Sequence, residues 1–129
     1  MTFVKGLKCK ECGHTTAATP LHVCEACFGP YEVEYDYDAM KGKVTRASIE
    51  AGPKSLWRYK DLLPVNKPIT GFHSGFTPLK RADRLAKYLG CSELYIKDDS
   101  CNYPTYSYKE RVVSVAISKA VEFGFDTVG

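Results

Sequence analysis

The sequence lacks the long apolar runs that mark proteins inserted into membranes or carried across them. No stretch of about 18 apolar residues occurs, which excludes a transmembrane helix. The N-terminus, MTFVKGLKCKEC, has no apolar segment typical of a signal peptide. A strong excess of one charge is also missing, because 18 basic and 15 acidic residues leave a net charge of +3. That balance gives no argument for a nucleic-acid or membrane partner, so we predict a cytoplasmic protein whose thiols stay reduced.

Cysteine, by contrast, is abundant, and four of the six cysteines form two CxxC pairs. The paired residues are Cys9, Cys12, Cys24 and Cys27, with eleven residues between the pairs. Each pair can direct two sulfurs at one tetrahedral zinc, and Gly13 and Gly29 lie where a turn toward the metal needs glycine. Four thiolates fill the coordination shell, so the spacing predicts a structural zinc site. The alternative is a set of reduced cysteines in a small core.

The segment YEVEYDYD, residues 31–38, alternates tyrosine or valine with acidic residues. Strict alternation predicts a half-buried strand with its tyrosines turned inward. The acidic outer face argues against a ribbon that binds nucleic-acid phosphates. We assign residues 1–45 to a zinc-ribbon module. Residues 46–75 are a connecting segment with short helices near residues 46–51 and 56–63, where Trp57 is expected to anchor the packing.

Residues 76–129 begin with the start and stop signals of a helix. Thr77 is expected to be its N-cap, Pro78 its first residue and Gly90 its C-terminal cap. Apolar residues recur at helical spacing between these limits, which supports the same prediction.

The rest of this region predicts an α/β unit. Residues 93–97 and 125–128 are predicted strands, and a helix from Tyr108 to Phe123 lies between them. Such a βαβ unit has parallel strands and a right-handed crossover. The helix is apolar on most sides, which is typical of a helix buried in a protein larger than these residues supply.

Lys109 lies where a helix start disfavours positive charge. Ser107 and Glu110 have the spacing of a capping box, which places Lys109 in the first helical turn. The helix dipole opposes a cation there and favours the neutral amine that carbonyl chemistry requires. A solvated surface lysine is the alternative interpretation from the residues alone.

Two segments, GFTPLKRADRLAKYLG and ELYIKDDSCNYPTYSYKERVVSVAISKAVEFGFDTV, closely resemble the N-terminal part of threonine synthase. That family of fold-type II pyridoxal-phosphate enzymes has a G-x-TPL segment, a K-x-D/E strand end and an NPT-x-SFKDR loop with the cofactor lysine. Some members also have a CxxC…CxxC ribbon. The resemblance implies a four-cysteine zinc ribbon followed by the start of a truncated fold-type II α/β domain. It also implies a carbon–oxygen lyase that converts O-phospho-L-homoserine to L-threonine and phosphate.

The resemblance assigns roles to individual residues. Lys109 would bind pyridoxal 5'-phosphate covalently and move protons, and Ser107 would lie beside the cofactor. Residues implied on the substrate side are Thr77, Lys97, Asn102 and Thr105. Helix caps, a turn residue or a solvated strand end are the alternatives for these positions. Tyr103 interrupts the family's Asn-Pro pair, so Asn102 is the position that matches least well.

The family's Ser/Thr-Gly-Asn loop and its glycine-rich phosphate loop have no counterpart in these 129 residues. We therefore expect an incomplete, inactive piece of an enzyme, with a homo-oligomer compatible with the full-length form. Threonine dehydratase and cysteine synthase relatives are the alternatives within the fold type. A stand-alone zinc-ribbon binding or regulatory module is the alternative outside it, and a nucleic-acid-binding ribbon is disfavoured.

Overall fold

Three short strands build an antiparallel ribbon at the N-terminal end of the chain. The computed structural model describes residues 2–69 and 73–129. The strands are β1 (Val4–Cys9), β2 (Thr15–Thr16) and β3 (Tyr31–Tyr35). β1 is central, and its Leu7 is paired with Thr16 on one side and with Val33 on the other. The ladder therefore brings the end of β1, with the first cysteine pair, beside the start of β3, which follows the second pair.

β3 ends three residues earlier than the alternating pattern predicted. Asp36 leaves the strand, and its carboxylate accepts a hydrogen bond from the Ala39 amide at 2.9 Å, which caps helix α1 (Tyr37–Met40). The strand prediction was wrong for residues 36–38 because a capping aspartate competes with the ladder for the local backbone. Tyr31 and Tyr35 are half-buried, as expected, whereas Tyr37 is exposed.

The next segment contains two short helices, close to the predicted positions. Helix α2 (Arg46–Glu50) begins with a capping box in which Thr45 and Ser48 each accept the other's amide. A 3₁₀ helix, Leu56–Leu62, follows it and buries Trp57, so the packing prediction for this side chain is confirmed. Arg58 donates from its guanidinium to the Ile49 carbonyl at 3.0 and 3.1 Å, which joins the two helices.

Residues 79–81 form a strand, although the sequence predicted a helix there. β4 (Leu79–Arg81) is antiparallel to β5 (Tyr95–Lys97), and Leu79 is paired with Lys97. A pairing partner that is distant in the sequence overrides the local signal of Thr-Pro at a helix start. Helix α3 (Asp83–Leu89) occupies only the second half of the predicted range.

The ends of α3 show which part of that prediction was correct. Ala82 occupies the N-cap without a side-chain hydrogen bond, so Thr77 is not the N-cap and Pro78 is not the first helical residue. Gly90 is the C-cap, as predicted, with φ of +71°.

The last helix, α4 (Lys109–Glu122), agrees closely with the predicted range. Residues 125–128 form no strand, so the predicted βαβ unit with parallel strands is wrong. Among the described residues β5 is paired with β4, in antiparallel orientation. No strand in these residues pairs with residues 125–128. None of the helices in the described residues is long and apolar enough to cross a membrane.

The buried interior is small, and α4 contributes little apolar surface to it. The buried hydrophobic residues are Cys9, Cys24, Met40, Trp57, Val65 and Ala86. The buried residues of α4 are Glu110, Ser114 and Ser118, and its Val112, Val113 and Val121 are exposed. The apolar character that predicted burial of this helix is therefore uncovered within the described residues.

Candidate metal centre and cofactor-lysine loop

The four paired cysteines converge at one end of the ribbon, which confirms that their spacing can build one site. Their sulfur atoms all lie within 4.8 Å of one another. Two separations that join the pairs are 3.5 Å between the sulfurs of Cys9 and Cys27 and 3.7 Å between those of Cys12 and Cys24. Tetrahedral zinc with Zn–S bonds of about 2.3 Å requires sulfurs about 3.8 Å apart. The donor set therefore fits one zinc ion.

Gly29 permits the two cysteine pairs to approach each other. A Cβ atom at this position would lie 3.1 Å from the Cys9 sulfur and 2.7 Å from Cγ of Glu11. Only a residue without a side chain fits there, so Gly29 matters for close packing. The sequence predicted a turn toward the metal at Gly29, but the left-handed backbone there belongs to the preceding residue, Phe28, at φ +61°.

Backbone amides around the sulfurs favour the ionised form of two of them. Burial raises the pKa of Cys24, but hydrogen bonds, chiefly from the amides of Ala26 and Cys27, outweigh burial and lower this pKa to about 6. The amide of Cys12 is the main cause of a lowered pKa at Cys9. Although one backbone amide lowers the pKa of Cys27, neighbouring thiols raise it to about 12. Thiolate is the form that binds zinc, so backbone amides help to prepare part of the ligand set for metal.

Lys109 is the first residue of α4, as the sequence predicted. Its side chain is exposed, and its amine has no ion-pair partner within residues 2–69 and 73–129. Val112, Val113 and Ala116 are also exposed, and their spacing puts them on the same helical face as Lys109. A free primary amine is the chemical group that attaches to an aldehyde cofactor.

The hydrogen bonds at the start of α4 differ from the predicted capping box. The Ser107 hydroxyl accepts from the Lys109 amide at 3.3 Å, one residue earlier than a capping box requires. The carboxylate of Glu110 is buried and accepts from the Thr105 hydroxyl at 2.9 Å. Tyr108 is the N-cap of α4 and has no side-chain cap hydrogen bond, so the predicted capping box is wrong. The Ser107 hydroxyl holds the Lys109 amide, and Thr105 and Glu110 hold the loop against the first turn.

The side chain of Asn102 is buried and links the backbone at Gly75 to the backbone at Ser107. Its side-chain oxygen accepts from the Gly75 amide at 2.7 Å, and its side-chain nitrogen donates to the Ser107 carbonyl at 2.6 Å. Only 1% of its surface is exposed. Both ends of the amide are therefore used within the protein.

Thr77 and Lys97 meet at the end of the β4–β5 pair where Leu79 faces Lys97, and the Lys97 ammonium donates to the Thr77 carbonyl. The Thr77 hydroxyl donates to Asp99 at 2.7 Å, and Arg111 donates to both carboxylate oxygens of Asp99, at 2.6 and 2.7 Å. The Arg111 guanidinium holds the pKa of Asp99 well below its usual range. Asp99 and Arg111 were not among the predicted site residues, although each lies two residues after a lysine that was singled out.

The candidate residues divide into two groups in space. Thr77 and Lys97 line a cavity of about 510 Å³ together with Arg58 and Arg111. Lys109 and the rest of its loop are not among the residues that line this cavity in the described part of the chain. The Asp99–Arg111 pair connects the two groups, since it joins the β4–β5 strand pair to the first turn of α4.

Residues 71–129 match the family model described as pyridoxal-phosphate dependent enzyme. The chain is 38% identical over 123 residues to threonine synthase of Methanosarcina acetivorans, and 38% identical over 125 residues to threonine synthase of Methanocaldococcus jannaschii. Each alignment covers 95% of this chain, ribbon included, and 30% of the relative. Threonine synthase of Synechocystis is 40% identical over 73 residues, which are 54% of this chain and 19% of that protein. No solved structure matches the chain.

Proposed function

We propose that Lys109 is the residue to which pyridoxal 5'-phosphate attaches, since residues 71–129 match the family model described as pyridoxal-phosphate dependent enzyme. The observation that carries this proposal is the exposed amine at the first residue of α4, which no carboxylate neutralises within the described residues. An amine held in an ion pair stays protonated, whereas a free one can lose its proton and attack an aldehyde.

Bound pyridoxal phosphate would supply an electron sink for carbanion chemistry on an amino acid. The Lys109 Nζ would hold the cofactor and move a proton. The Ser107 hydroxyl, through its bond to the Lys109 amide, would keep the first turn in place beside the cofactor. We propose that Asn102 and Thr105 position this loop, since their side chains bond within it.

We propose Thr77 and Lys97 as residues on the substrate side. Both line the cavity of about 510 Å³, and two arginines, Arg58 and Arg111, line it with them. A cavity with several cations suits an anionic substrate such as a phosphate ester. Asp99 neutralises Arg111, so Lys97 and Arg58 supply most of the positive charge.

For the whole protein, we propose a threonine synthase-like lyase reaction, from O-phospho-L-homoserine to L-threonine and phosphate. Identity of 38% to two threonine synthases over 95% of the chain supports this choice over threonine dehydratase and cysteine synthase. The chain spans about 30% of the length of these relatives, so the reaction is assigned to the complete catalytic unit.

We also propose that Cys9, Cys12, Cys24 and Cys27 bind one structural zinc ion. Four sulfurs within 4.8 Å of one another support it, and so does the glycine that lets the two pairs approach. With four protein ligands the ion has no open position for a substrate.

The test of the lysine assignment is borohydride reduction after incubation with pyridoxal 5'-phosphate, followed by peptide mass mapping. We expect the adduct at Lys109, and we expect Lys109→Arg to remove it. Lys87→Arg changes an exposed lysine on α3 and is the matched control, which should keep the adduct. An adduct spread evenly over the lysines, or one kept by Lys109→Arg, would overturn the proposal and favour a stand-alone zinc module.

The reaction has its own test. The complete catalytic unit that contains this chain, incubated with cofactor and O-phospho-L-homoserine, should release L-threonine and phosphate in equal amounts. Formation of 2-oxobutanoate from L-threonine, without phosphate release from the ester, would instead support the dehydratase alternative.

A further inference from the structure

Asp99 and Arg111 join two segments through a bidentate ion pair. Asp99 follows β5, and Arg111 lies in the first turn of α4. The guanidinium donates to one carboxylate oxygen at 2.6 Å and to the other at 2.7 Å. The Thr77 hydroxyl donates to the same carboxylate at 2.7 Å and accepts from Arg111 at 3.3 Å. Two parallel hydrogen bonds fix the relative orientation of the two groups, which a single contact does not.

The position of this pair relates it to Lys109. Arg111 is two residues beyond Lys109 in the same helical turn, so a fixed guanidinium restrains the direction in which that turn points. The opposite end of α4 is held independently, because Glu122 accepts from the amides of Asn66 and Lys67 at 2.6 and 3.0 Å. The first turn and the last turn of the helix therefore have separate supports.

Stability alone gives a weak reason for the pair. Its side chains are 26% and 31% exposed, so water screens the pair, and even with bidentate geometry its net stabilisation is modest. The pair instead lies between the cavity wall formed by Thr77 and Lys97 and the turn that presents Lys109.

We propose that Asp99 and Arg111 are positioning residues for Lys109. They hold the first turn of α4 against the end of the β4–β5 strand pair, so that the Lys109 amine reaches the cofactor from one fixed direction. This inference rests on the proposed function of Lys109 as the attachment point. Small displacements of a reacting group lower rates steeply, so loss of the restraint should appear in the reactivity of Lys109 before it appears in folding.

The experiment measures how pyridoxal 5'-phosphate is distributed among the lysines after borohydride reduction, in the wild type and three variants. Asp99→Asn removes the negative charge that pairs with Arg111. Glu122→Gln weakens the other end of α4 and is the control for helix stability. Asp98→Asn changes the adjacent carboxylate, which pairs with Lys80 of β4 and not with α4.

We expect Asp99→Asn to lower the adduct at Lys109 by about tenfold while adducts at other lysines stay constant. Glu122→Gln and Asp98→Asn should both lower the melting temperature, and both should keep the adduct. Arg111→Lys keeps the charge but loses the bidentate geometry, and should lie between the wild type and Asp99→Asn.

The outcomes separate the two levels of the proposal. A wild type without preference for Lys109 contradicts the proposed function itself. A wild type that prefers Lys109, with Asp99→Asn labelled there to the same extent, contradicts only the positioning role. Equal loss in Glu122→Gln would assign the effect to helix stability. If Asp99→Asn fails to fold by circular dichroism, Arg111→Lys decides the question with the same readout.

Discussion

Gly13 and Phe28 occupy equivalent positions in the two cysteine turns, and both have a left-handed backbone, with φ of +75° and +61°. Each directly follows the second cysteine of its pair. Each amide donates to the carbonyl of the first cysteine, at 3.1 Å to Cys9 and at 2.8 Å to Cys24. The two halves of the metal centre thus share one turn geometry, but only the first half has the residue that adopts it without strain.

We predict that Phe28→Gly stabilises the zinc-loaded protein by about 1 kcal/mol. A left-handed backbone costs a residue other than glycine about 1–2 kcal/mol. The Phe28 side chain is 79% exposed, so its removal sacrifices little buried surface. Denaturant unfolding at saturating zinc measures the difference in the free energy of unfolding.

Gly13→Ala is the matched control for that prediction. No atom lies within 4 Å of the added Cβ, so its effect reports the backbone conformation alone. It should destabilise the protein by about 1 kcal/mol. If Phe28→Gly also destabilised, the phenylalanine would contribute a stabilising contact that outweighs its strain.

The metal centre and the start of α4 could be predicted because their signals are local. Two CxxC pairs carry their own geometry, and the position of Lys109 follows from the helix that begins there. The strand β4 could not be predicted, because Thr77-Pro78 is a sound local signal for a helix start. The partner strand that overrides it begins at Tyr95, and a single sequence does not show which distant segments pair.

The side-chain contacts of the loop were the least predictable part of the site. The predicted capping box was wrong, because the Ser107 hydroxyl accepts from the Lys109 amide and Glu110 turns to Thr105. The choice depends on where a loop folds in three dimensions. The pairing of Asp99 with Arg111 was not predicted for the same reason, since twelve positions separate the two residues in the chain.

Zinc content should depend on the paired cysteines and not on the others. We predict one zinc per chain in the wild type and loss of the metal in Cys24→Ser, because three sulfurs leave the tetrahedral shell open. Cys91→Ser is the control, since Cys91 is exposed and outside the cluster. Elemental analysis of dialysed protein gives the stoichiometry, and circular dichroism with a chelator should show the ribbon unfolding as metal is removed. Zinc retained by Cys24→Ser would remove this residue from the ligand set.

Asp98 should make the stability of the protein sensitive to acid. The Lys80 ammonium at 2.5 Å, helped by the hydroxyl and amide of Ser100, lowers the pKa of Asp98 from 3.8 to about 2. The folded state therefore favours the carboxylate. Its stabilisation is complete above about pH 4 and is lost as the pH falls through about 2.

Asp98→Asn tests this pH dependence. The variant should be less stable than the wild type at neutral pH, and the difference should shrink as the pH falls from about 4 toward 2. Urea unfolding over a pH series measures it. Asp126→Asn changes an exposed aspartate near the C-terminal end and should give a curve parallel to the wild type. A constant difference between Asp98→Asn and the wild type at all pH values would show that the lost hydrogen bonds, and not the charge, determine the effect.

Asn102 should be the most sensitive polar residue of the cofactor-lysine loop. Asn102→Ala leaves the Gly75 amide and the Ser107 carbonyl without partners in a buried place, which should cost roughly 2–4 kcal/mol of unfolding free energy. Asn66→Ala is the control, because this asparagine is exposed and the change should cost less than about 0.5 kcal/mol.

Asn102→Asp separates the two hydrogen bonds of this side chain. A carboxylate can still accept from the Gly75 amide, but it has no proton to donate to the Ser107 carbonyl and repels that oxygen. The variant should therefore be strongly destabilised at neutral pH and should recover in acid, where the protonated carboxyl donates again. Denaturant unfolding at neutral and acidic pH measures both states. Equal destabilisation of the alanine variant and of the aspartate variant in acid would mean that shape, and not the donor, is what the loop requires of Asn102.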